Sequence, residues 1–389
     1  MSERSGTGDR LVTIGLLAVR LVVLVVAIQV WRSAAPTDDL ARFQAIHDAR
    51  GEPYRDFVVE YAPLEVIAVR GLLSSDAAAT ALRVAILAFA ADVGTWWAIL
   101  TAWGRRAGER YLWLGTPLLV FIYTRFDLIP VFLATLGVVL AVRRRERLGG
   151  ASIALAALAK LWPLVIVPGL LVAARRRAFA WALGVTLVLT AAWWWFGGWR
   201  AIDDVLSFRH ATGWEVESLV GTVVWIATGG PIRTEAGAPR IGSVPAAASI
   251  GLLVLLGAVV TLIWVTAWRR GGGAAFGGAA VSAVAALLAC SSVFSLQYTA
   301  WLLPWGAIAW AEGDRPRFAL IAGIEVLTAV LFVVYAPDRA AVAQALLIAR
   351  GLLVLAVPVT WLVQGQSAND VASSDGDVTG ARQTNRSHT

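Results

Sequence analysis

The chain is short of charge, of lysine and of sulfur. Asp, Glu, Lys and Arg make up 15% of its 389 residues, where a soluble domain carries roughly 25%, and 58% are hydrophobic. With a mean hydropathy of +0.70, this excludes a soluble enzyme, a disordered chain and a collagen-like one. A single cysteine, Cys290, excludes an intrachain disulfide or a Cys metal cluster. The only histidines, His47, His210 and His388, are far apart, which argues against a His-rich metal site. No Walker loop, Rossmann glycine pattern or Ser-His-Asp constellation is present, and Gly271, Gly272 and Gly273 lack the lysine of a phosphate-binding loop.

What is present is a series of apolar runs punctuated by arginine. The long runs cover 11–31, 77–103, 178–196, 247–268, 274–290, 318–335 and 341–363. Shorter ones cover 57–73, 111–123, 128–142 and 298–310, and 152–172 is interrupted by Lys160 and Pro163. A span needs about 20 apolar residues, so the expected fold is an all-α polytopic membrane protein with about 9–13 membrane helices, some half-spanning. The run 11–31 is too long for a signal-peptide core, and the small-residue site Ser33-Ala34-Ala35 is followed by Pro36, so it reads as an uncleaved first helix. The expected layout is a cytoplasmic stretch 1–10, one membrane domain 11–364 with outer loops 32–56 and 197–245, and a disordered cytoplasmic tail 365–389.

The net charge of +7 and pI near 10.3 do not point to nucleic acid, because the basic residues sit in short clusters between apolar runs. One lysine against 32 arginines, with abundant alanine, suggests a bacterial genome of high GC content. Arg105/Arg106/Arg110, Arg143/Arg144/Arg145/Arg147, Arg175/Arg176/Arg177, Arg269/Arg270 and Arg315/Arg317 are expected on the cytoplasmic side. The chain must then go in and return between clusters. The first half of the 111–142 excursion reaches only about 20 Å, short of a ~30 Å hydrocarbon core, and each half of 149–173 is similarly short. Both read as hairpins that do not cross fully. Irregular backbone at that depth is tolerated only against protein or a water-filled cavity, so the sequence predicts a cavity opening to the outer side.

Several polar groups fall on that side. Asp38 and Asp39 fit a general base that takes a proton from a hydroxyl, or the N-cap of a helix over 40–50. Tyr54, Asp56, Glu60 and Tyr61 mix aromatic faces with carboxylates, which suits a sugar and equally an interfacial aromatic belt. Lys160 is the sole lysine and is flanked by apolar residues. An ionised group there costs at least ~2.5–3.5 kcal/mol to insert, which marks a functional candidate, with an ion pair to Asp127 or Asp92 as the structural alternative. Asp92, Arg83 and Glu325 read as pairs inside the bundle. In the loop 207–218, Arg209 fits a bidentate phosphate contact, beside His210, Trp214 and Glu217. Gln297 opens a late helix as a cavity hydrogen-bonder or a polar helix start. Without a cytoplasmic nucleotide site, an enzyme of this kind needs an activated substrate that arrives in the membrane, most simply on a lipid.

These residues resemble a known group. Asp39-Leu40 with Phe43, Gly51-x-Pro53-Tyr54-x-Asp56-Phe57 and Glu60-Tyr61-x-Pro63-Leu64 are similar to the first outer loop of glycosyltransferase family 87 in the GT-C superfamily, also known as DUF2029. Phe126-Asp127, Lys160-Leu161-Trp162-Pro163, Gly213-Trp214-x-Val216-Glu217-Ser218 and Gln297-Tyr298 follow in the order of its later motifs. The chain departs from the family where Tyr-Pro-Pro-Leu is expected, at Ala62, and where Arg often precedes Gly-Trp, at Thr212.

The resemblance implies a GT-C-like bundle and an inverting sugar transfer from a polyprenyl phosphate to a cell-envelope glycolipid or glycan, outside the cytoplasmic membrane. The sugar is usually mannose; related members use decaprenyl-phosphate arabinofuranose. It implies Asp39 as base, with Asp38 and Asp56 in reserve. Lys160, Arg209, His210 and Arg125 would face the donor phosphate. Tyr54, Glu60, Tyr61, Asp127, Trp214, Glu217 and Gln297 would face sugar or acceptor. No cofactor and no metal are implied; the partners are donor, acceptor and membrane lipids. A lipid-linked sugar transporter, which also contains broken helices and intramembrane charges, is the alternative of a different class.

Overall fold

The computed structural model describes the backbone of residues 3–33, 38–208, 210–334 and 340–383, with side chains for 10–30, 39–208, 210–334 and 340–364. The chain opens with α1 (Glu3–Ser33), the short α2 (Asp38–Asp48) and α3 (Pro63–Leu72), then α4 (Ala77–Trp103). Next come α5 (Arg105–Gly115), two 3₁₀ turns (Pro117–Val120 and Ile122–Thr124) and α6 (Leu128–Val142). α7 (Glu146–Ala159) stops at Lys160, and a 3₁₀ turn (Trp162–Ile166) leads into α8 (Val167–Val172). α9 (Arg176–Leu206) is followed by an insertion of β1 (Trp214–Glu215), α10 (Leu219–Thr228), β2 (Arg233–Glu235) and β3 (Ala238–Ile241). α11 (Ala246–Arg269), a π turn (Ala275–Ala279), α12 (Ala280–Ala289), a 3₁₀ segment (Leu296–Leu302), α13 (Leu303–Ala311), α14 (Arg315–Val334) and α15 (Ala340–Gln383) complete the chain.

Six of these helices, α1, α4, α9, α11, α14 and α15, are long and apolar enough to cross a membrane. The protein is an all-α polytopic membrane protein with one small sheet. The two expected hairpins are broken at their tips. Pro117 and Pro163 sit in the first turns of 3₁₀ segments, where a ring without an N–H is compatible with a helix start but not with a helix interior. The run 274–290 does not form one long helix. It is a π turn joined to the ten-residue α12, almost wholly buried, with Gly278 packed against the ring of Trp361. The loop from 197 is more ordered than its sequence suggests. α9 kinks at Gly198 (φ 68°, ψ −168°) and continues to Leu206. Beyond it the strands form an antiparallel sheet in the order β1-β3-β2, with Ala236 and Gly237 at positive φ in the hairpin turn. At the other end of the chain, α15 continues past Gln364 to Gln383, into the polar tail expected to lack structure.

The arginine clusters come together at one end of the bundle. Arg105 pairs with Glu109 at 2.8 Å, and Glu109 accepts from Thr13 at 2.8 Å. Arg143 donates to the carbonyl of Thr101, and the N–H of Arg177 donates to Glu146 at 3.1 Å. Arg270 donates to Trp361 O at 2.8 Å, and Arg317 to Asp314 at 2.7 Å and to Gln364. Among the intramembrane charges, Asp92 pairs with Arg20 at 2.9 Å and accepts from Tyr111 and Tyr123 at 2.7 and 2.9 Å. Two expected pairs are absent among the described residues. Arg83 instead donates to the carbonyls of Leu72 and Leu73, the free end of α3, and Glu325 is fully buried with no ion pair.

Candidate active site

At the end opposite the arginine clusters lies a cavity of about 650 Å³. Its walls come from parts of the chain remote in sequence. α2 supplies Asp39, Arg42 and Phe43; the stretch before α3 supplies Glu60 and Tyr61, and α3 itself Glu65. Asp127 stands just before α6, Lys160 just after α7, and Gln297, Tyr298 and Trp301 on the 3₁₀ segment. The facing wall is apolar, with Val205 and Leu206 of α9, Leu252, Leu253 and Leu256 of α11, and Leu287 and Leu288 of α12. Leu206 and Leu253 are 65% and 67% exposed, so this apolar wall is open rather than sealed within the bundle.

Lys160 is held by the way α7 ends. Its backbone is extended (φ −155°, ψ 133°) and its N–H closes the last helical turn onto Ala156 at 2.9 Å, so the side chain projects from the helix end into the cavity. Its Nζ donates to Asp127 at 2.7 Å and lies 4.8 Å from the ring centre of Tyr298. Asp127, 2% exposed, also accepts from the indole N–H of Trp301 at 2.8 Å. Trp301 stacks between Tyr298 (4.3 Å, 18°) and Trp162 (5.5 Å, 12°). The lysine therefore stands on an aromatic slab, which offers its faces to a cation or a sugar ring.

Two further ion pairs involve lining residues, with Asp39, Arg42 and Glu60 on the cavity wall and Arg125 behind it. Asp39 pairs with Arg125, and Glu60 accepts from Arg42 at 2.9 and 2.7 Å in a two-pronged contact. Asp38 opens α2, its side chain outside the description, and Asp39 one residue later reaches the cavity with 29% of its side chain exposed.

The cavity thus brings together Asp39, Glu60, Tyr61, Asp127, Lys160 and Gln297 from the residues expected to form a site. Others stand behind it. Tyr54 donates its hydroxyl to Tyr61 O at 2.6 Å, bracing that segment, and Asp56 accepts the N–H of Glu52 at 2.6 Å as a turn cap. Trp214 is buried in the cluster that seats the sheet on α14 and α15. Glu217 lies behind the wall, its carbonyl accepting from Arg350 at 2.6 Å; burial, with the charge of Glu215 beside it, pushes its carboxyl above the usual range. His210 is away from the cavity, with Nε2 3.1 Å from Asp204. Arg209 lies outside the described residues. Glu65, Arg42, Tyr298, Trp301 and Ser295 are cavity residues missing from the sequence-based set. Glu65 carried the same signal as Lys160, one charge in the apolar stretch 62–69. Among the described residues, no three or more His, Cys, Asp or Glu side chains are grouped to hold a metal ion.

Chemically, the arrangement joins a charged, aromatic-lined end to an open apolar wall. It offers carboxylates to hydroxyl groups, cations to an anionic group, and a surface for a hydrocarbon chain. A search of curated proteins found no match. The profile of glycosyltransferase family 87 matches residues 62–295, taking in α3, Asp127, Lys160 and the apolar wall, while Asp39 and Glu60 precede it and Gln297 follows it. With more than half of its length matched, the chain belongs to glycosyltransferase family 87, a family of glycosyl-transferring membrane proteins.

Proposed function

We propose that this membrane glycosyltransferase transfers mannose from a polyprenyl phosphate to a glycolipid or glycan of a bacterial cell envelope, in a cavity facing away from the cytoplasm. The observation that carries the reading is the cavity itself, whose polar end and open apolar wall match a sugar phosphate on a long hydrocarbon. The arginine-rich end opposite it is the end that the charge rule assigns to the cytoplasm.

In this scheme the donor's hydrocarbon lies along α11 and its phosphate sits near Lys160 and Arg125. The acceptor hydroxyl gives its proton to Asp39 as its oxygen attacks the anomeric carbon. The bond from that carbon to the phosphate oxygen breaks, and the phosphate leaves with the electron pair. Lys160 and Arg125 receive the growing negative charge, and the cavity keeps water, the competing nucleophile, at low activity. The single displacement inverts the carbon, as when a base and leaving group flank a sugar in inverting glycosidases. Removing a general base costs about 10²–10⁴ in rate. Purified Asp39→Asn, given radiolabelled polyprenyl-phosphate mannose and an envelope lipid extract as acceptor source, is expected to lose transfer by that factor while binding donor normally. Full activity in this variant would remove Asp39 from the mechanism.

A further inference from the structure

Four carboxylates face the charged end of the cavity, and three of them hold a cation: Asp39 with Arg125, Glu60 with Arg42 and Asp127 with Lys160. Glu65 is the fourth. It is 5% exposed, it lines the cavity, and its side chain has no hydrogen bond or ion pair among the described residues. Its carboxyl oxygens are not among the polar atoms sealed within the protein, and the space they open onto is the cavity. We propose that Glu65 is a sugar-contacting, specificity-determining residue. Its carboxyl group, presented as a combined donor and acceptor, engages hydroxyl groups of the sugar on the lipid-linked donor. The inference rests on the reading of the cavity as a sugar-transfer site.

The surroundings decide the form in which Glu65 acts. Facing it are Asp39 and Arg42 from α2, Glu60 and Tyr61 from the segment before α3, Asp127, Lys160 at the end of α7 and Tyr298. Lys160 favours the charged form, but it is already bonded to Asp127. α3, ten residues long, does not cross the membrane, and its first-turn dipole favours a carboxylate only weakly. Burial, joined by the charges of Asp127, Asp39 and Glu60, outweighs both, and pushes Glu65 up to about 8. Near neutral pH it is therefore a neutral acid with one O–H to give and a carbonyl oxygen to receive, whereas the three paired carboxylates can only accept. Losing that proton removes the donor and adds a negative charge beside Asp39 and Glu60. A site built around such contacts discriminates strongly against ligands that lack the matching hydroxyl.

The test measures binding of two probes, polyprenyl-phosphate mannose and bare polyprenyl phosphate, to the full-length protein in nanodiscs between pH 6 and 9.5. The wild type is expected to hold the mannosyl lipid evenly up to pH 7 and lose affinity above about 8. Glu65→Gln, which keeps a donor and an acceptor but cannot ionise, is expected to bind within about 3-fold of wild type at pH 7 and to show no such loss. Glu65→Ala is expected to weaken the mannosyl lipid by about 10-fold or more and leave bare polyprenyl phosphate unchanged. Equal weakening of both probes by Glu65→Ala, or an unchanged pH profile in Glu65→Gln, would overturn the role of Glu65 while leaving the site reading intact. A wild-type protein that binds neither probe would refute the site reading and this inference together.

Discussion

Lys160 and Asp127 show how one contact can serve structure and chemistry. Their 2.7 Å pair is the ion pair of the structural alternative, yet 20% of the lysine side chain remains exposed at the cavity while Asp127 beside it is almost fully covered. Paired substitutions separate the two roles. Lys160→Ala strands a buried carboxylate, a change that costs about 3–5 kcal/mol in comparable buried pairs. Asp127→Asn relieves that charge. If Lys160 only balances Asp127, the double variant regains both stability and transfer. The expected outcome is recovered thermal stability with donor affinity still reduced at least about 10-fold, read by melting and binding on the same detergent preparations. Lys160 could be singled out from sequence because an isolated charge in an apolar run is costly wherever it lands. The Arg42–Glu60 and Asp39–Arg125 pairs could not, because charge cost identifies a residue and not its partner across the fold.

At the scale of elements, the charge rule and the rise per residue of a helix were enough to expect two broken hairpins, because both are constraints of length. The closeness of α6 and α7 needs the structure. Gly137 and Gly149 face each other there, and a Cβ on Gly149 would lie 2.6 Å from Gly137 O and 2.8 Å from Ala141 N. Both contacts are backbone, which cannot swing aside. Lipid tails give helices no hydrophobic drive to associate, so close backbone approach supplies much of the attraction. Gly149→Leu is expected to destabilise the protein by at least about 1–3 kcal/mol and to lower its yield in the membrane. Gly184→Leu on α9, where a Cβ meets nothing within 4 Å, is the matched control and is expected to be neutral. Size-exclusion profiles and melting in detergent distinguish the two. The sheet in 214–241 stayed hidden in the sequence for a related reason: strands of two to four residues are too short to display alternation, and Trp214 is fixed by α14 and α15, distant in the chain.

For the whole molecule, the chain carries its own probe of which way the cavity faces. Its one cysteine, Cys290, ends α12 and lines the cavity, half-buried. Exposed tryptophans mark both rims of the bundle, Trp195 and Trp199 towards the cavity end and Trp97 and Trp268 towards the arginine end, as expected of rings anchored at two interfaces. Arginine is the side chain whose distribution follows membrane sidedness, and the clusters gather at the end away from Cys290. A membrane-impermeant maleimide added to intact cells that express the protein is therefore expected to label the unmodified chain, and Cys290→Ser to abolish the signal. Polyprenyl-phosphate mannose, supplied to the purified protein, is expected to slow labelling, because the apolar wall proposed for its hydrocarbon includes Leu287 and Leu288, next to the thiol. Labelling confined to inverted vesicles would turn the molecule over and place the cavity in reach of cytoplasmic substrates. Labelling from outside that the donor does not slow would keep the orientation and move the hydrocarbon away from α12.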